Sequence, residues 1–128
     1  MNKTVGIIGG TVWGNRGAEA MLVTAIHKVR EQNPETNIVI FSYLAKKDLS
    51  IVTDATVHIH DARPITLVLS HFPYAILYWL VHFFGISLPT LPFFRSAYAL
   101  SQCDILLDIG GISFADKRSK FLPFNILI

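Results

Sequence analysis

Four glycines fall within the run Gly9-Gly10-Thr11-Val12-Trp13-Gly14-Asn15-Arg16-Gly17. Glycine accepts positive φ and lets a backbone come close to a ligand. A short apolar run precedes this loop and an Ala-rich amphipathic run follows it, so the loop reads as a turn from a strand into a helix N-terminus. Such a junction presents free N–H groups and the positive end of a helix to an anion or a hydroxyl. Two phosphate-binding patterns come close and fail. Gly9 and Gly14 have P-loop spacing, but Asn15-Arg16 stands where Lys-Ser/Thr is needed, which removes the phosphate-binding charge and the metal-ligating hydroxyl. Gly14 and Gly17 match only the last two positions of the dinucleotide pattern G-x-G-x-x-G. The candidate binding residues here are Gly10, Asn15, Gly17 and Glu19. Asn15 is also a good N-cap. Glu19 reads as a general base or an acceptor for a sugar hydroxyl, or else as an acid that stabilises the helix dipole.

A second constellation is Asp108-Ile-Gly-Gly-Ile-Ser-Phe-Ala-Asp116. Gly110 and Gly111 allow a sharp turn at a strand end. Ser113 and Asp116 then offer polar groups to a ligand, or cap the next helix. Arg16, Lys117, Arg118 and Lys120 flank the two loops, as charges for a phosphate or carboxylate or as solvated surface. His58 and His60 share one face of a strand, but no third ligand accompanies them, so no metal is expected. His27, His71 and His82 read as structural. Cys103, without a histidine partner, reads as a small core residue.

The elements that position these residues follow from periodicity. Residues 4–8, 37–43, 56–59 and 104–109 are short apolar runs with the look of buried strands. Ala18, Met21, Leu22, Ala25, Ile26 and Val29 recur at helical spacing, which predicts a helix over residues 17–32. Asn33-Pro34 ends it, because the residue before proline is pushed out of the α region. Strand and helix alternate with short links, which predicts an α/β fold with a Rossmann-like parallel sheet and flanking helices. Both glycine loops then lie at the carboxyl edge of the sheet, where open α/β sheets bind ligands.

Residues 64–94 contain no Asp, Glu, Lys or Arg. A stretch this apolar raises the question of a membrane span. Ser70, His71, Pro73, Tyr74, Tyr78, Trp79 and His82 interrupt it, and a span would split the α/β domain. The remaining readings are a buried helix pair broken at Pro73 and a hairpin at the membrane interface, which the aromatic residues suit. Helices packed on the sheet or on a partner domain are the expectation carried forward.

Composition narrows the classes. The chain has 128 residues, is 52% hydrophobic and 16% charged, and so can build a core. Its formal net charge of +2 supplies no basic field for nucleic acid. A single cysteine forms no internal disulfide, and no signal peptide is apparent, so the cytoplasm is the expected compartment. The apolar run 121–128 reads as the opening of a further element, so the chain is expected to be the first part of something larger.

Gly14-Asn15-Arg16-Gly17-Ala18-Glu19-Ala20 after the first strand, followed later by Asp104-Ile-Leu-Leu-Asp-Ile-Gly-Gly-Ile-Ser-Phe-Ala-Asp116, resembles the polysaccharide pyruvyl transferase family. The resemblance covers these two segments. It implies a glycosyltransferase B-type architecture, of which residues 1–128 are the N-terminal Rossmann-like domain, with an apolar helical insertion at about 64–94. It implies transfer of a pyruvyl (enolpyruvyl) unit from phosphoenolpyruvate to hydroxyls of a cell-surface polysaccharide or its lipid-linked precursor, forming a ketal. The N-terminal half would face the acceptor sugar through Gly10, Asn15, Gly17, Glu19, Gly110, Gly111, Ser113 and Asp116. No cofactor is implied. The donor would be held by a C-terminal half that this sequence lacks, so catalytic residues stay unassigned and the chain by itself is expected to be inactive. The insertion is a possible peripheral membrane contact at the inner face. The alternatives are a non-catalytic nucleotide-sugar or anion-binding module and a membrane-interface protein.

Overall fold

Apolar runs bounded by glycine or polar turns become the strands. In the computed structural model, which describes residues 3–54, 56–85 and 91–110, these are β1 (Thr4–Ile8), β2 (Asn37–Ser42), β3 (Val57–Asp61) and β4 (Ile105–Asp108). They form one all-parallel sheet in the order β3-β2-β1-β4. The amphipathic run becomes helix α1 (Arg16–Gln32), which ends at an extended Asn33 ahead of Pro34. Two short helices were not expected from periodicity: α2 (Ala45–Asp48) after β2, and α5 (Arg95–Ser101) before β4. The fold is α/β and Rossmann-like.

Alternation along the strands divides the core between the two faces. Val5, Ile7, Ile38, Ile40 and Val57 pack with Leu22 of α1, and Ala25, Ile26 and Val29 lie against them. Val39, Phe41 and Ala62 pack on the other side with Ala99, Leu100 and Cys103. Both faces are thus covered, as a parallel sheet requires. Each fully buried Ile or Leu contributes about 1.5–3 kcal/mol. Gly6 sits in mid-strand where a Cβ would lie 2.9 Å from Cys103 Sγ and from Leu106 Cδ1, so its lack of a side chain lets α5 and β4 close onto β1. Cys103 is a packing residue there. Its thiol donates to the Ala99 carbonyl at 3.3 Å, and burial, then the Asp104 charge, raises its pKa away from thiolate chemistry.

The uncharged segment differs from expectation. Residues Pro64–Phe83 form one 20-residue helix, of which little is buried. It runs through α3 (Pro64–Thr66), a π turn (Leu67–His71) and α4 (Phe72–Phe83). Pro73 does not break it into a pair. The π turn directly upstream, where Phe72 N–H reaches back to the Leu67 carbonyl, widens the helix where the proline ring would otherwise crowd the preceding turn. Nor is the helix packed along the sheet: it is rooted at Leu67, Ser70, His71 and Tyr74, which are buried.

A polar chain secures that root. Ser70 Oγ donates to the Phe93 carbonyl at 2.9 Å. Ser96 Oγ donates to the Asp61 carbonyl at 2.8 Å and lies 3.0 Å from His71 Nε2. The serine proton is thereby committed to Asp61, so the imidazole donates through Nε2 and leaves Nδ1 a bare acceptor, buried without a partner among the described residues. A neutral ring tolerates this; an imidazolium would bury an unpaired N–H.

Burial holds the His71 pKa below the ordinary 6.5, with Asp61 raising it and His60 lowering it. His60 is lowered by its own burial, then by Arg95 and His58. Protons that the unfolded chain binds are refused by the folded one, so this stability is complete above about pH 6.5 and is lost as pH falls toward the folded values. Urea midpoints are expected to drop between about pH 7 and pH 5, with a shallower drop in His71→Gln. A midpoint independent of pH over that window would contradict the assignment.

Candidate functional site at the carboxyl edge of the sheet

From β1 the chain winds to β2 and β3 on one side, then crosses to set β4 on the other side of β1. The strand order therefore reverses between β1 and β4. In open α/β sheets a crevice forms outside the carboxyl ends at such a point. The two glycine loops leave these two strands, and they touch. Gly9 has φ +77°, and a Cβ there would stand 2.5 Å from Gly110 N and 2.8 Å from Asp108 Oδ1. No other residue type fits that position. Asp108 Oδ1 in turn accepts from Gly110 N–H at 2.7 Å, which shapes the second turn, while Ile109 N–H bonds the Ile8 carbonyl at 3.0 Å.

Two amide donors of the first loop, those of Val12 and Trp13, are taken within the chain. The carboxylate of Asp48, at the end of α2 and 1% exposed, fills them. Its Oδ1 accepts from Val12 N–H at 3.0 Å and Trp13 N–H at 2.8 Å. Thr11 Oγ1 lies 3.1 Å from both carboxylate oxygens. Ser42 Oγ donates to Oδ2 and accepts from Leu44 N–H at 2.9 Å. Outside this cage, Lys47 Nζ sits over the Trp13 ring, 5.0 Å from its centroid. One buried carboxylate thus joins the β1–α1 loop to the end of β2.

The expected residues divide by role. Asn15 is the N-cap of α1: its Oδ1 accepts from Gly17 N–H at 3.1 Å and Ala18 N–H at 3.2 Å. Glu19 lies in the first turn of α1, and its N–H donates to the Asn15 carbonyl at 2.9 Å. Gly10 is buried, with Ile109 Cδ1 2.8 Å and Leu22 Cδ1 3.4 Å from where a Cβ would be, so it serves close packing. Gly17 is exposed and open. Gly110 stands against Gly9. Gly111, Ser113 and Asp116, with Lys117, Arg118 and Lys120, lie outside the described residues.

Sequence reasoning missed Asp48, Ser42 and Tyr43 as parts of this edge, and placed Asp108 in the second loop without giving it a role. Tyr43 follows β2, and burial, then the Asp108 charge, raises its pKa and keeps its hydroxyl protonated. Asp108 is exposed at the end of β4. The edge therefore presents the exposed Asp108 carboxylate beside backbone that comes very close. These are partners for hydroxyl groups rather than for phosphate.

Two other features of the described residues lie apart from this edge. A cavity of about 640 Å³ beside α1 has apolar walls such as Leu22, Ile26 and Val52, and its polar lining is paired within the chain, Arg30 with Asp54 at 2.7 Å and His27 with Glu31 at 3.2 Å. It lies away from the Gly9–Gly110 contact. His60 stacks on Phe41 with centroids 6.0 Å apart, and among the described residues no cluster of three metal-ligating side chains forms around it. Comparison of the chain with known protein families, curated proteins and solved structures returns no match.

Two substitutions test the arrangement. Asp48→Ala strands two backbone N–H groups and two hydroxyls, and is expected to cost roughly 3 kcal/mol or more in denaturant unfolding; a loss under about 0.5 kcal/mol would mean the cage does not hold the loop. Asn15→Ala removes the helix cap and is expected to cost about 1 kcal/mol, largely restored by Asn15→Ser. A variant at Asn15 therefore alters stability as well as any ligand contact.

Proposed function

We propose that this edge binds the hydroxyls of an acceptor sugar, as the acceptor-side half of a polysaccharide pyruvyl transferase-like protein of glycosyltransferase B-type architecture. The observation that carries the reading is the contact of Gly9 with Gly110 at the strand-order reversal. It sets the loop that leads into the first resembling segment against the second, which contains Gly110. Asp48 supports the sugar over a phosphate as the ligand of the first loop, because an internal carboxylate already takes the Val12 and Trp13 amides. A second anion there would meet a buried negative charge instead of free donors.

The chemistry asks little of the acceptor side. Two sugar hydroxyl oxygens bond to C2 of phosphoenolpyruvate and phosphate leaves from C2. One hydroxyl proton goes to C3, which becomes the methyl group, and the other leaves with phosphate. The acceptor half must hold both hydroxyls in register. In this reading Asp108 accepts from a sugar hydroxyl, and Gly9, Gly17 and Gly110 let the ring approach the backbone. Glu19 is the further polar candidate at the head of α1; Ser113 and Asp116, which the resemblance implies as contacts, lie outside the described residues. The donor site belongs to a second half, and the acceptor is a cell-envelope polysaccharide or its lipid-linked precursor on the cytoplasmic side.

Calorimetric titration separates this reading from a nucleotide-binding module. The chain is expected to bind neutral hexoses such as galactose or mannose weakly, with Kd of millimolar order. Asp108→Asn should weaken that binding several-fold without a change in thermal midpoint. Micromolar binding of ATP or a uridine nucleotide, with no response to hexoses, would overturn it.

A further inference from the structure

Among the described residues, the distal part of the long helix has no partner in the fold. Beyond Tyr74, Leu77 and Val81 are only half-covered and every other residue of α4 is exposed. Trp79 is 70% exposed, Phe83 81% and Phe84 73%. The outward stripe begins nearer the root, at Ile65, Leu69 and Phe72, and continues through Ile76, Trp79 and Phe83 at spacings of three and four, the pattern of one helical face. Residues 64–94 carry no charge, and Arg63 and Arg95 stand at the two ends of the segment.

The topology limits what this helix does in a bilayer. β3 precedes the segment and β4 follows it, and both belong to one sheet. The two ends of the segment also meet: Ser70 bonds Phe93, His71 lies on Ser96, and the Tyr74 and Phe94 rings are 5.6 Å apart. The chain therefore leaves the domain and returns to it on the same side, which no single span does. From Tyr74 the free helix extends about 15 Å at 1.5 Å per residue, half of a hydrocarbon core of about 30 Å.

We propose that the outward face and free end of this helix insert into one leaflet of a lipid bilayer, as a monotopic anchor. A protein partner covers one side of a helix and leaves a polar rim; here the free end is apolar around most of its circumference and has no charged rim. Lipid surrounds such an end. Tyr78 and His82 stack at 5.4 Å on the flank, where polar-tipped rings suit the headgroup level. Arg95, exposed beside the root, complements anionic headgroups, while Arg63 is held by the Asp61 carboxylate at 2.7 Å. The inference stands independently of the sugar-site reading.

The test uses Trp79 as reporter in a Trp13→Phe background. On addition of vesicles of phosphatidylcholine and phosphatidylglycerol, its emission is expected to shift to the blue and to be quenched by lipids brominated along the acyl chain. Trp79→Ser/Phe83→Ser/Phe84→Ser changes only exposed side chains, and is expected to retain native circular dichroism while losing vesicle flotation at least about tenfold. Emission unchanged by vesicles would overturn the proposal. So would burial of Trp79 through self-association in lipid-free solution, seen as a dimer by light scattering.

Discussion

The carboxylate of Asp48 holds the glycine-rich loop in place. It is the buried charge of the described edge, caged by the Val12 and Trp13 amides and the Thr11 and Ser42 hydroxyls. Removing such a charge from water is costly unless its lone pairs are filled, and this loop fills them. The same contacts fix the loop between β1 and α1, and so set Gly9 against Gly110 and Asn15 at the head of α1. In a loop that reads as an anion site, the chain's own carboxylate already occupies the Val12 and Trp13 amides.

That substitution redirects the chemistry of the edge. Were the amides free, phosphate would be the natural ligand. With the carboxylate in place, the exposed Asp108 and close-lying glycine backbone remain at this edge. Those suit a neutral polyol, and the strand-order reversal between β1 and β4 puts them where an open α/β sheet accommodates a ligand. The pyruvyl transferase reading draws its plausibility from this convergence.

Much of the frame was legible in the sequence. The four strands declared themselves as apolar runs closed by glycine or polar turns, and α1 as a 3.6-residue period ended by Asn33-Pro34. What stayed hidden had physical causes. The short α2 offers no period, and an aspartate after two lysines reads as solvated surface; only the tertiary fold brings Asp48 to a loop more than thirty residues away. Pro73 reads as a break because the bond it lacks is visible in sequence, whereas the π turn that accommodates it is not. Asn15 was rightly suspected as a cap, and that role occupies the oxygen that was also assigned to a sugar. Gly10 turned out to be sealed by Ile109 and Leu22.

The central claim is that the glycine edge takes hydroxyls while Asp48 keeps the loop amides to itself. Amide-resolved NMR titration of the chain with a neutral hexose, and separately with inorganic phosphate, tests it most directly. The hexose is expected to move the Gly9, Gly17 and Gly110 resonances together while those of Val12 and Trp13 stay fixed, and phosphate is expected to move none of them. Phosphate shifting Val12 and Trp13, with the hexose silent, would contradict it.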